Sequence, residues 1–422
     1  MGCAKNLVDA ELLMKQLEAN QFRLVFDPAD TKGIDTAIIN TCGFINDAKQ
    51  ESIDTILQFV QAKKDNQIEH VYVMGCLSER YRDKLQCEIP EVDAFFGVND
   101  LEKIIGHIGG TFKKQLLGER KITTPSHYAY VKIAEGCDRK CSFCAIPMIR
   151  GSHISRPIED IVGEVTHLVA SGVKEINIIA QDTTYYGLDL YKKRLLPELL
   201  DTLANIDGLE WIRLHYTYPD GFPPDLLKVI KMHGNICNYV DIPLQHISDR
   251  ILKSMHRGLD GAKTRKLVDS VRKAIPGVAI RTTFITGYPG ETRKEFEELR
   301  NFIEETRFDR LGVFAYSHEE DTAAFHLKDN VPAKLKQQRT EELMSIQEEI
   351  SLALNREKVG NTMKVLVDRL EGDYYIGRTE YDSPEVDNEV LIPVSGSRLE
   401  SGSFCNVKIT KAESFDLIAE IQ

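Results

Sequence analysis

Three cysteines, Cys137, Cys141 and Cys144, stand within eight residues of one another in Ala134-Glu-Gly-Cys-Asp-Arg-Lys-Cys-Ser-Phe-Cys-Ala-Ile-Pro147. The spacing CxxxCxxC offers three thiolates in one short segment. Such a set suits a 4Fe-4S cubane whose fourth iron keeps no protein ligand. A structural zinc or electron-transfer site closes its coordination with a fourth side chain, whereas an open position can bind and activate a small molecule. Offsets of zero, four and seven also fit one face of a helix, with the thiols as core filler. Asp138, Arg139 and Lys140 interrupt that face with charge, Gly136 precedes it and Pro147 cuts a helix short, so the ligand reading is the better one.

Three further cysteines come singly. Cys42 in Asn-Thr-Cys-Gly and Cys76 in Met-Gly-Cys-Leu each sit where a strand pattern hands over to a helix pattern, and Cys3 precedes a helical pattern over residues 7–17. In a doubly wound sheet such handover points gather at the carboxyl edge of the strands. A Gly beside each cysteine lets the backbone come close to a cofactor. A second cluster with its own open iron is one reading; three ordinary buried cysteines is another that the spacing leaves open. Cys87, Cys237 and Cys405 have no partner at ligand spacing and are read as structural.

The elements that must position these residues follow from periodicity. Runs at residues 35–41 and 70–75 read as buried strands, with helices over 44–62 and 78–85, which gives a parallel sheet covered by helices. Residues 110–126 read as an interdomain connection, with the charged run Gly118-Glu-Arg-Lys121. Beyond it six strand–helix units are expected, with strands at 128–134, 175–180, 211–217, 239–243, 278–285 and 311–316. Six such units make a partial (β/α)6 barrel with its chemistry at the carboxyl ends of the strands. Gln181 then ends the second strand, Gln245 follows the fourth, and Pro289-Gly290 marks a turn after the fifth. His246 and His318 follow strands and are read as surface loop residues. Five short alternating runs from 363 to 421 read as a small antiparallel β-barrel. The expected domains are 1–115, 123–357 and 358–422.

At 422 residues and 42% hydrophobic content the chain is long enough for two to four cores. It carries no apolar run of membrane-spanning length, no secretory signal pattern, no internal repeat, no Gly-rich phosphate loop and no Ser-His-Asp nucleophile elbow. Nine cysteines, three of them clustered, fit a reducing cytoplasmic compartment and metal ligation rather than disulfides. The net charge of -12 argues against broad nucleic-acid binding.

CxxxCxxC with the aromatic Phe143 before its last cysteine resembles the signature of the radical S-adenosylmethionine (SAM) enzymes. The resemblance implies that the open iron chelates SAM, that Phe143 lies near the adenine, that Gln181 and Gln245 contact the cofactor, and that Phe284-Ile-Thr-Gly-Tyr-Pro-Gly-Glu291 borders the SAM pocket. Cleavage of SAM by one electron then allows hydrogen abstraction from an unactivated carbon, which acid–base chemistry does not readily reach. Gly2-Cys3-Ala-Lys-Asn-Leu-Val-Asp-Ala-Glu11, Asn40-Thr-Cys42-Gly-Phe44 and Gly75-Cys76-Leu77 resemble the amino-terminal domain of the methylthiotransferases. That resemblance implies a second 4Fe-4S cluster on Cys3, Cys42 and Cys76, and it makes the C-terminal barrel a TRAM substrate-recognition domain. Family members carry a strand ahead of the Gly-Cys step, so this sheet is expected to be one strand short.

Two bacterial branches differ in substrate: one modifies an adenosine of transfer RNA, the other an aspartate of ribosomal protein uS12. From residue 361 onward six basic side chains face twelve acidic ones, a balance that repels phosphates and attracts a basic protein. Solubility alone would also explain it. Ile179-Ala-Gln-Asp-Thr-Thr-Tyr-Tyr-Gly187, Arg213-Leu-His-Tyr-Thr-Tyr-Pro219 and Asp309-Arg-Leu-Gly-Val-Phe-Ala-Tyr-Ser317 resemble the protein-modifying branch. Expected partners are uS12 and an electron donor such as flavodoxin or ferredoxin, with no stable nucleic-acid binding. The alternatives are the transfer-RNA enzyme and a non-enzymatic iron–sulfur protein.

Overall fold

The computed structural model describes residues 2–27, 32–116, 118–394 and 398–422. Helix α1 (Ala4–Ala19) leads to strand β1 (Thr36–Thr41), helix α2 (Asn46–Lys64), strand β2 (His70–Gly75), helix α3 (Cys76–Glu88), the short strand β3 (Ala94–Phe95) and helix α4 (Leu101–His107). No strand precedes α1 among the described residues. The strands pair in parallel in the order β1-β2-β3. Alternation along β2 sends Val71 and Val73 to one side and Tyr72 and Met74 to the other. Ile56 and Val60 of α2 with Leu77 and Leu85 of α3 cover the first side; Leu13 and Leu17 of α1 with Ile104 and Ile105 of α4 cover the second. Both faces are therefore apolar, as a parallel strand between helices requires.

This packing sets the cysteines side by side. Thr41 and Gly75 are register partners at the carboxyl ends of β1 and β2, and Cys42 and Cys76 are the next residues. Gly75 has φ 99°, and a Cβ there would fall 2.5 Å from the Thr41 carbonyl oxygen, so only glycine allows the approach. Asn6 stitches α1 onto the same edge: its amide donates to the Thr41 carbonyl at 2.9 Å, and Asn40 donates to the Asn6 carbonyl at 2.7 Å.

The connection is docked along its length. Arg120 is buried, with Glu11 of α1 at 2.8 Å and Glu164 at 2.9 Å, and Thr123 donates its backbone N–H to Glu11 at 2.8 Å. The charged run is thus a clamp, because two carboxylates from different elements converge on one guanidinium.

Strand β4 (Tyr128–Lys132) opens the second unit. A short ribbon of β5 (Ala134–Glu135) and β6 (Ile154–Ser155) brackets the CxxxCxxC loop and helix α5 (Ile146–Arg150). Pro147 lies in the first turn of α5, so it opens a helix here where the sequence reading had it closing one. There follow α6 (Ile158–Ala170), β7 (Glu175–Ile179), α7 (Leu196–Ala204), β8 (Trp211–Leu214), α8 (Pro224–Met232), β9 (Ile236–Asp241), α9 (Asp249–Ser254), α10 (Gly261–Ala274), β10 (Ala279–Thr286), α11 (Arg293–Thr306), β11 (Arg310–Ala315) and α12 (Ala333–Glu357). The six longer strands form one parallel sheet in the order β4-β7-β8-β9-β10-β11. A capping box between Thr292 and Glu295 fixes where α11 starts.

The last unit is a closed barrel of β12 (Thr362–Glu371), β13 (Tyr374–Thr379), β14 (Glu389–Pro393), β15 (Phe404–Ala412) and β16 (Asp416–Ile421), in the order β12-β13-β14-β16-β15. Four seams are antiparallel as expected, and the β14/β16 seam is parallel. Directions cannot alternate all the way round a closed ring of five strands, so one parallel seam is obligatory. The segment between β13 and β14 enters the amino half of the six-stranded sheet. There Asp382 pairs with Arg310, Asp387 with Arg281 at 2.5 Å and Tyr239 at 2.7 Å, and Glu385 accepts from Tyr128 at 3.1 Å. Arg378 of β13 reaches Glu175 at 2.8 Å and Asp368 at 2.7 Å.

Candidate active site at the carboxyl end of the sheet

The CxxxCxxC loop is not helical, which removes the core-filler reading, and three distant segments pin it. Ser142 donates its N–H to the Met255 carbonyl at 3.1 Å, accepts from the Ala324 N–H at 2.7 Å, and pairs its hydroxyl with Tyr288 at 2.8 Å. The Cys137 N–H donates to Gly151 at 3.0 Å. Gly136, at φ 73°, leaves no room for a side chain, since a Cβ would lie 2.1 Å from the Ser152 carbonyl oxygen. The three thiols feel one another's charge. Burial first, and the neighbouring thiols with it, pushes Cys144 up to about 12; burial likewise pushes Cys137 up to about 11. Arg257 donates to Cys141 Sγ at 3.2 Å, and the Tyr218 hydroxyl lies 3.5 Å from the same sulfur.

Phe143 packs with Ile285 against Ile251, Met255, Tyr288, Tyr316 and Ala324, as one wall beside the loop. Gln181 follows β7 and donates to Glu135 at 2.7 Å. Gln245 follows β9 in a left-handed conformation (φ 73°), fixed by backbone bonds on both sides to β10. The side-chain oxygens of Gln181 and Gln245 are buried with no protein partner, as is Arg257 Nε. Buried polar atoms are ordinarily bonded, so these three mark where a polar ligand fits. His246 is not a surface residue. It is fully buried, accepts from the Ser248 N–H at 3.0 Å through Nδ1, and turns Nε2 toward Glu291 at 3.5 Å. The Pro289-Gly290 turn is closed by the Glu291 N–H donating to Tyr288 at 2.8 Å.

The N-terminal cysteines also converge. Cys3 is the N-cap of α1, Cys42 follows β1 and Cys76 begins α3. Burial raises Cys42 and takes Cys76 to about 11, with Cys3 adding to both and Cys42 to Cys76. Arg150 stands against Cys76 Sγ at 3.5 Å. No three His, Cys, Asp or Glu side chains among the described residues are arranged to hold a single metal ion. A cubane asks for something else, since each thiolate binds a separate iron corner. All-sulfur donor sets, thiols whose burial disfavours a charge until metal displaces the proton, and a guanidinium beside each set fit such clusters.

The two trios are neighbours. Cys76 forms one small buried cluster with Ala145 and Ile149, the first of which follows Cys144. Arg150, at the end of the same short helix, binds Asp9 at 3.0 Å and Glu135 at 2.9 Å, and donates to Asn6. Lys132 holds the same two carboxylates. Arg80 and Lys49 reach Glu319 after β11 at 2.9 and 2.8 Å, a second bolt between the units. Arg150, Glu135, Lys132 and Arg257 escaped the sequence reading. Asn6 and Asp9 lie inside the Gly2–Glu11 motif, but their spacing alone assigned them no role.

Fold and site together define a radical SAM enzyme: the Radical SAM superfamily matches residues 131–303, the uncharacterized protein family UPF0004 residues 1–97 and the TRAM domain residues 359–421. Among solved structures, the radical SAM methyltransferase TsrM from Kitasatospora setae, with cobalamin and a [4Fe-4S] cluster bound, superposes with a TM-score of 0.54 at 14% identity, covering 74% of this chain and 72% of its own, a likeness of fold. Ribosomal protein uS12 methylthiotransferases RimO from Cytophaga hutchinsonii and Bacteroides thetaiotaomicron are each 54% identical over 100% of this chain and 96% and 97% of their own; that of Flavobacterium johnsoniae is 55% identical over 100% and 96%. The chain belongs to the RimO family of ribosomal protein uS12 methylthiotransferases.

Proposed function

We propose that this chain transfers a methylthio group to the β-carbon of an aspartate in ribosomal protein uS12, with Cys137, Cys141 and Cys144 holding a 4Fe-4S cluster that binds SAM, and Cys3, Cys42 and Cys76 holding a second. The observation that carries it is that Cys76 shares one small buried cluster with Ala145 and Ile149 of the segment that follows Cys144, which brings the two trios to the same helix. When bound, the cluster and SAM supply one-electron cleavage and hydrogen abstraction, and the second cluster supplies sulfur. The protein's own residues do the positioning. Ser142, Tyr288 and Met255 fix the loop, Arg257 and Tyr218 balance charge on Cys141, and Arg150 with Glu135 fixes the distance between trios. Phe143, Gln181 and Gln245 are the residues for SAM. The buried walls at Phe143 and Tyr288 exclude water from the reaction. A flavodoxin or ferredoxin would supply electrons, in the cytoplasm. No helix among the described residues is long and apolar enough to cross a membrane.

The test is mass spectrometry after anaerobic incubation of the reconstituted protein with SAM, a strong reductant and two candidate substrates: a uS12 peptide spanning the target aspartate, and transfer RNA carrying the adenosine precursor. Gain of one methylthio group on the peptide alone is expected. Gain on the RNA alone would overturn the substrate and keep the two-cluster chemistry.

A further inference from the structure

We infer that Lys5 reads the carboxylate of the target side chain, together with the uncapped N-terminus of α1; the inference rests on the reading of an aspartate substrate above. Lys5 lies two residues after Cys3, is only 8% exposed, and has neither a carboxylate nor a hydrogen-bond acceptor as partner among the described residues. Its ammonium is held 3.0 Å from the centroid of the Tyr216 ring. That ring is itself a fixed platform. Tyr216 stands at the carboxyl end of β8 with φ 56°, its N–H bonded to Asp241 at 2.9 Å and its carbonyl accepting from Thr183 at 3.1 Å. A non-glycine residue in the left-handed region is retained where the surroundings hold it, typically at a site that needs its side chain in one place.

Among the described residues, no carboxylate nearby pairs with Lys5. Asp9, one turn along α1, and Glu135 are each engaged by both Lys132 and Arg150. The thiolates of the second cluster proposed above take up the remaining positive charge of the region, so what Lys5 keeps is a set of free donors rather than an excess of charge. Helix α1 adds to it. It has sixteen residues, no side chain caps its first turn, and that turn carries no acid, so free N–H groups and the positive end of the helix dipole lie within the same turn as Lys5. An ammonium over an aromatic ring keeps its strength for an anion, because the ring stabilises the cation without occupying its donors. The group of the proposed substrate that matches free ammonium donors is the aspartate carboxylate. It lies one bond from the carbon to be modified, beside a residue two positions from Cys3. Binding it there would orient that carbon toward the space between the trios.

The experiment compares two uS12 peptides, one with aspartate and one with asparagine at the target position, on wild-type protein and on Lys5→Met and Lys5→Arg. Peptide affinity is read by fluorescence anisotropy, product by mass spectrometry and cluster loading by iron content. Losing one charge-assisted contact is expected to weaken the aspartate peptide about 10- to 100-fold in Lys5→Met. The asparagine peptide should be little changed and iron content retained, and Lys5→Arg should recover part of the preference. A Lys5→Met protein that keeps the full aspartate preference overturns the inference, as does one that loses both peptides equally along with iron, which would make Lys5 a support for the second cluster. Wild-type protein that modifies RNA and neither peptide overturns the substrate reading and this inference with it.

Discussion

The six-stranded sheet has two ends built to opposite electrostatic rules. At the amino end, charges are buried and matched: Glu175 lies between Arg213 and Arg378, and Asp382 and Asp387 from the C-terminal barrel meet Arg310 and Arg281. At the carboxyl end, the side-chain oxygens of Gln181 and Gln245 are buried without a hydrogen-bonding partner among the described residues, Lys5 sets its ammonium over the Tyr216 ring, and Tyr216 and Gln245 hold left-handed backbones. The amino end is held chiefly by ion pairs within the protein, although His127 Nδ1 and Asn388 Nδ2 stay unpaired there among the described residues; the carboxyl end leaves its amide oxygens free where the proposed cofactor would sit. Asp368, Asp382 and Asp387 of the acidic last domain turn inward, and so does Arg378. Nine acidic against five basic side chains remain, so the domain stays acidic, and the full-length relatives carry the choice of a ribosomal protein as substrate.

The largest effect separates the ends by one residue type. Cys144→Ala, at the open end, is expected to abolish SAM cleavage, measured as 5′-deoxyadenosine by chromatography, because two thiolates cannot hold three corners of the cluster. Cys237→Ala, in the packed amino half of β9, is expected to leave cleavage near wild type and cost on the order of 1 kcal/mol of stability. Cleavage persisting in Cys144→Ala would move the SAM site elsewhere.

Next in size is a break at the matched end. Arg378→Met removes one partner from both Glu175 and Asp368 while they stay buried, and an uncompensated buried charge costs about 3–5 kcal/mol. The chain contains a built-in reporter. Its single tryptophan, Trp211, meets Phe404 of the C-terminal barrel edge to face at 4.9 Å. Urea unfolding followed by Trp211 fluorescence should show the barrel releasing early in the variant. A loss below about 1 kcal/mol would mean that these pairs behave like exposed ones.

How much of this was legible beforehand follows from what each signal depends on. The six cysteines could be read because their neighbours, strand ends and glycines, are local in sequence. The placement of Cys42 and Cys76 followed from strand direction alone, and the register of Thr41 with Gly75 agrees with it. The residues that join the trios could not be read. Arg150 meets Asn6 across 144 positions and Arg257 meets Cys141 across 116, and no periodicity encodes such pairs. His246 looked like a loop residue because exposure was judged from its place after a strand. Its burial against Glu291 depends on how the turn at Pro289-Gly290 folds back. The parallel seam of the small barrel follows from the parity of its ring, a property of closure that no single strand displays.

The smallest effect is graded by pH and sharpens the comparison without mutating the open end. Burial alone would raise Asp382, Asp368 and Glu175, but Arg310 for the first, and Arg378 for the other two, override it and hold all three below the usual carboxylate range. A depressed folded value stabilises the fold above the unfolded value of about 4 and loses that contribution as pH falls below it. Asp309 and Asp416, raised by their burial, work the other way and offset part of that acid loss. His215 acts earlier. Burial holds its imidazole below the ordinary value, so the unfolded chain takes up a proton first and the fold weakens as pH drops below about 6.5. Stability read from Trp211 should therefore decline gently from about pH 6.5 and steeply below about pH 4. His215→Gln should flatten the upper limb and Asp382→Asn the lower. A single steep limb near pH 6.5 that survives His215→Gln would show that the matched carboxylates at the amino end do not set the acid limit of the docked barrel.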